Sequence, residues 1–176
     1  MHLKTGDILL VHTKWKWYKP LSYIGALIRI FTKSYFNHAA IIIVQYGEVY
    51  VVESDIKGVV ILPLSAWKKD QTVKVYRIAE PYEVNEVSFI TKALSKTGVA
   101  KYDFLSLLWF QLVYQLTGRY YGFTNTRKAE KRFYCSEFVA WMLNINTWYK
   151  LTPSDLYKML EQTNDPELYV ETSFTL

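Results

Sequence analysis

Two apolar, β-branched runs, His38 to Val44 and Val49 to Ser54, stand only four residues apart, and no other feature limits the fold of this chain so tightly. Runs of this kind read as buried strands, and a two- or four-residue connection within Gln45, Tyr46, Gly47 and Glu48 makes them an antiparallel hairpin. Either connection sets the same register: Val44 faces Val49, Ile42 faces Val51 and Ala40 faces Glu53. His38 and Glu53 then share a face as diagonal neighbours, about 7–8 Å apart at Cα. Asp55 lies on that face too and would sit directly opposite His38. An odd-length turn or a bulge would reverse the parity and send Glu53 to the other face.

The rest of the first half also reads as sheet. Asp7 to His12 is a short buried strand, Val59 to Leu62 is another that ends at Pro63, and a further strand runs from about Val73 to Arg77. Between the first of these and the hairpin, Leu21, Ile24, Leu27, Ile28 and Phe31 fall at helical spacing. After residue 83 the period changes from strand to helix. Residues 83–96 read as a helix stopped by Gly98, and residues 102–116 as a second stopped by Gly118. Cys135 opens a nearly all-apolar helix, and Thr152, Pro153 and Asp155 have the order of a cap, a first helical residue and a dipole-matched acid. The expected fold is α+β, an antiparallel sheet packed against helices. With 176 residues, 51% of them hydrophobic, one core and one domain spanning 1–176 are expected.

The residues able to carry chemistry are few. Cys135 is the one cysteine, so no intramolecular disulfide can form. A helix start stabilises a thiolate through its unpaired N–H groups and positive dipole end, and Arg127, Lys128, Lys131 and Arg132 precede it closely. The same position also suits a buried, inert cysteine packing as a small hydrophobe. His38, alone, suits a core histidine bonded to a backbone carbonyl, and Glu53 an exposed acid at a strand end. The hairpin register joins them, because an acid beside an imidazole fixes its tautomer and stabilises the imidazolium. Tyr134 either supplies a hydroxyl to the cleft or packs as an aromatic. His2, His12, His38 and one cysteine lack metal-ligand spacing, so no metal and no cofactor are expected.

Five segments in order, Gly6-Asp7-Ile8-Leu9-Leu10, Phe36-Asn37-His38-Ala39-Ala40-Ile41, Glu53-Ser54, Phe133-Tyr134-Cys135-Ser136-Glu137-Phe138-Val139 and Thr152-Pro153-Ser154-Asp155-Leu156, resemble the circularly permuted NlpC-type papain-like cysteine hydrolases, the YiiX and YaeF-like group. The resemblance implies a papain-like fold in permuted order, with His before Cys. It also implies His38 as general base, Glu53 as the acid that orients it and Cys135 as nucleophile. The expected activity is hydrolysis of an amide, in a cell-wall peptide or other amino-acid amide, through a thioester acyl-enzyme. Two alternatives stand beside it: a lipid acyl hydrolase or acyltransferase of the lecithin retinol acyltransferase-like type, and a non-catalytic binding module on the same fold.

A formal charge of +5 favours anionic partners, and the Trp15-Lys16-Trp17-Tyr18-Lys19 segment suits either a substrate cleft or a membrane interface. The expected partner is a small peptide, an amino-acid amide or a lipid-like substrate. No nucleic-acid motif accompanies the charge, so no nucleic acid is expected. The longest apolar run, Phe104 to Leu116, is shorter than the roughly 18–20 residues that span a bilayer. No signal-peptide pattern opens the chain. The expectation is a cytoplasmic protein if this N-terminus is native, and a cell-envelope protein if a leader preceded it.

Overall fold

The computed structural model describes residues 2–13, 26, 29, 30, 34–67, 71–78, 85–103, 109, 113, 116, 117, 130–162 and 169–175. The predicted hairpin lies at its centre. Strand β2 (His38–Gln45) runs antiparallel to β3 (Glu48–Asp55), joined by Tyr46 and Gly47 alone. Both turn residues have positive φ, 53° and 79°, the conformation of a two-residue turn whose twist matches its strands. Val44 pairs with Val49 and Ile42 with Val51, so the register is the one read from the sequence.

β1 (Ile8–Thr13) pairs with β2 on one side and with β5 (Gln71–Ile78) on the other, while β4 (Gly58–Pro63) extends the sheet beyond β3. A last strand, β8 (Tyr169–Thr175), adds to the outer edge of β5. The order is β4-β3-β2-β1-β5-β8, with every neighbouring pair antiparallel. The sequence reading places no element at β8. Its Tyr-Val-Glu-Thr-Ser-Phe-Thr run is too polar to stand out, and an edge strand needs mainly a main-chain partner.

Helices α1 (Glu86–Lys96), α2 (Cys135–Met142) and α3 (Pro153–Gln162) pack against this sheet. α1 begins three residues later than predicted because Asn85 caps it, its side chain accepting the Ser88 N–H at 2.9 Å. At the start of α3, Thr152 Oγ1 accepts the Asp155 N–H at 3.1 Å and Asp155 Oδ2 accepts the Thr152 N–H at 3.1 Å. Thr152 is thus the cap read from the sequence, and Asp155, expected there for the dipole, adds a return bond.

The expected helix over 102–116 is corrected at its start. Tyr102 belongs to a short strand, β6 (Lys101–Tyr102), which pairs in parallel with β7 (Arg132–Phe133). The Lys101 N–H donates to Lys131 O at 3.0 Å and the Asp103 N–H to Phe133 O at 3.2 Å, so a distant segment captures these main-chain groups. Trp109, Val113, Leu116 and Thr117 are helical. The Trp15 to Lys19 segment and the apolar positions of the helix predicted over 21–31 lie outside the described residues. Ala26, Arg29 and Ile30 within that stretch are helical.

The sheet is buried on both faces, which is why β1 and β2 read as unbroken apolar runs rather than alternating ones. On one face Ile8, Leu10, Ile41 and Val52 pack with Phe138, Val139 and Met142 of α2, Leu156 of α3 and Phe89 of α1. On the other, Leu9, Val11, Ala40, Ile42, Val51, Val73 and Val75 gather with Trp67. Each fully buried aliphatic side chain contributes about 1.5–3 kcal/mol.

Candidate active site

Cys135 is the first residue of α2, and local bonds fix the chain just before it. Tyr134 is the extended cap, with φ −92° and ψ 170°, and its N–H donates to the Glu137 carboxylate at 3.3 Å. Ser54 Oγ of β3 donates to Phe133 O at 2.8 Å, and Ser136 Oγ donates to Leu151 O at 2.7 Å. The first turn of α2 is thus tied both to β3 and to the segment leading into α3. The thiol is fully buried and forms no disulfide.

His38 opens β2, with Val11 opposite it on β1. Strand alternation groups His38 with Ala40 and Ile42, and Glu53 with Val51, on the face that also carries Trp67. Cys135 belongs to the cluster on the helix side. Thiol and imidazole meet at the end of β2.

His38 Nε2 bonds Glu53 Oε2 at 2.5 Å, with the histidine side chain 13% exposed and the acid 0%. Nε2 being taken, Nδ1 is the ring nitrogen that remains, and Cys135 lies near enough to the ring to raise its pKa. Burial by itself pushes the imidazole toward its neutral form. The Glu53 charge, the interaction with Cys135 and the hydrogen bond to Glu53 outweigh it, and the His38 pKa rises from 6.5 to about 9. At neutral pH the ring is therefore an imidazolium held between the Glu53 carboxylate and the Cys135 sulfur.

A second donor converges on the same carboxylate oxygen. Trp67 Nε1 donates to Glu53 Oε2 at 3.0 Å, and the indole is 3% exposed. The sequence reading missed Trp67, because only the β3–β4 pairing and the short 3-10 turn Leu64–Ala66 bring it over Glu53. Asp55, the alternative partner for His38, is engaged elsewhere: its Oδ1 accepts the Lys57 N–H at 2.8 Å in the β3–β4 turn. Tyr134 is fully buried.

Tyr102 was also missed. In register it faces Phe133, two residues before Cys135. Burial first, then the negative charges of Cys135, Asp55, Glu137 and Asp103, raise its pKa well above the usual phenol value, so the hydroxyl stays protonated beside the thiol. Nothing in the local sequence announces that placement, since it follows from strand pairing across a long loop. Among the described residues, no three His, Cys, Asp or Glu side chains gather as metal ligands.

Comparison with known proteins supports this fold. The model of a family described as permuted papain-like amidase enzymes, YaeF/YiiX, C92 family, matches residues 2–107, more than half of the chain. That span includes His38 and Glu53 and ends before Cys135. A crystal structure described as metalloprotein YiiX from Escherichia coli O157:H7 superposes with a TM-score of 0.55 at 17% identity, covering 98% of this chain and 96% of that one. At that identity the likeness is one of fold. No curated protein matches the chain.

Proposed function

Since the chain belongs to the permuted papain-like amidase family of YaeF and YiiX, we propose that it is a cysteine hydrolase that cleaves an amide through a thioester on Cys135. His38 serves as acid and base, and Glu53 orients it. One observation carries this reading: an imidazole bonded through Nε2 to a buried carboxylate at 2.5 Å, with its other nitrogen left for a thiol at a helix start.

In the proposed cycle the Cys135 sulfur, its proton held by His38, attacks the carbonyl carbon of the substrate. The carbonyl oxygen becomes an oxyanion, for which the Cys135 main-chain N–H at the start of α2 is a natural donor. His38 gives its proton to the departing amine as the C–N bond breaks, leaving a thioester and a neutral imidazole. A water molecule then gives a proton to His38 while its oxygen attacks the thioester, and the carboxylic acid leaves as the thiol is restored. Glu53 stays ionised and stabilises the imidazolium. The thiol is fully covered, so the side chains above it must move aside for an acyl donor.

Hydrolysis of a panel of peptide and amino-acid amides tests the reading. The parent releases amine from at least one donor, while Cys135→Ala and His38→Ala lose that release. Equal release by Cys135→Ala and the parent would contradict it.

A further inference from the structure

β6 and β7 set like charges side by side. Lys101 and Arg132 are in register in this parallel pair, so their side chains leave the same face, and both are exposed. Lys131, also exposed, adjoins them. The β3–β4 turn brings a fourth cation, Lys57, to the same place: a Cβ built on Gly58 would lie 3.5 Å from Lys101 Cα. None of the four forms an ion pair among the described residues. The neighbouring acids are engaged elsewhere, Glu130 by Lys96 at 2.8 Å and Asp55 by the main chain of its own turn. Next to the cations, Ile56 is 59% exposed and Val99 74% exposed.

Like charges in register on adjacent strands repel, and among the described residues no acid pairs with them. The arrangement calls for an anion from outside. The two exposed aliphatics among the cations fit an interface with an oily layer beneath it, which a dissolved anion does not offer. We propose that Lys57, Lys101, Lys131 and Arg132, with Ile56 and Val99, form a docking surface for an anionic lipid bilayer. Binding there does not depend on the chemistry at Cys135. Arg132 lies three residues before the thiol, so docking holds the start of α2 near the membrane, where the proposed hydrolase would meet an acyl donor carried by the bilayer.

Flotation of the full chain with vesicles tests this, using equimolar phosphatidylglycerol and phosphatidylcholine against phosphatidylcholine alone. The expected result is binding to the first only, weakened by salt. Each cation near an anionic surface is worth roughly fivefold in partitioning, so Lys101→Gln with Arg132→Gln should weaken binding by roughly 25-fold. Lys57→Gln with Lys131→Gln should do the same, and keeps the test open if the first pair misfolds. Ile56→Ser with Val99→Ser should weaken binding several-fold at unchanged charge. Equal binding to both vesicles, or undiminished binding by both charge variants, would overturn the proposal. So would binding indifferent to the aliphatic variant but displaced by soluble polyglutamate, which would assign the patch to an acidic polymer. Amide hydrolysis is read separately, so loss of either result leaves the other standing.

Discussion

At the residue scale the account turns on two bonds to one oxygen, Glu53 Oε2, from His38 at 2.5 Å and Trp67 at 3.0 Å. The first was legible in the sequence, because two strands joined by a short, even connection fix parity, and parity put the acid on the side of the histidine. The second was not, since a tryptophan beyond a strand gains meaning only once that strand is placed. With His38 raised to about 9, the alkaline limb of kcat/KM should fall near that pH rather than near 6.5. Glu53→Gln removes the charge that holds the imidazolium, so it should move the limb toward 6.5 and lower kcat/KM by roughly 100-fold or more. A profile in Glu53→Gln that superposes on the parent's would reject the pairing. Trp67→Phe keeps a ring and removes the donor. Without that hydrogen bond the carboxylate is held less firmly against His38, and kcat should drop roughly tenfold to a hundredfold with little change in KM. If only thermal stability falls and the pH profile stays, Trp67 is packing.

Among the elements, the hairpin, β4, β5 and the cap of α3 carried local signals of turn length, branching and capping side chains. β6, β7 and β8 carried none, because each is defined by a partner distant in sequence, Lys101 by Lys131 and Tyr76 by Glu171. This long-range pairing also produces the tight place at the β3–β4 turn. Gly58 has φ +103°, and a Cβ there would lie 2.3 Å from the carbonyl oxygen of Ala100. Gly58→Ala should therefore destabilise the protein by roughly 2 kcal/mol or more, through both strain and displacement of the 98–101 segment. Chemical denaturation measures it, and a change within about 0.5 kcal/mol would show that the two segments do not meet as described.

For the whole molecule, the site is built where three separate parts of the chain meet: β2, β3 and the start of α2. Their meeting makes stability depend on pH. His38 has a folded pKa of about 9 against 6.5 unfolded, so its contribution is complete below pH 6.5 and is lost as pH rises through about 9. The loss should reach roughly 3 kcal/mol and vanish in His38→Ala, read as unfolding free energy between neutral and alkaline pH. The central claim concerns the thiol, and the most direct measurement is the mass of the intact protein quenched during turnover with amide and ester acyl donors. The account predicts an added acyl mass that maps to Cys135, is absent from Cys135→Ala, and decays as product forms. No adduct from any donor in a folded protein, or an adduct that persists in Cys135→Ala, would contradict it.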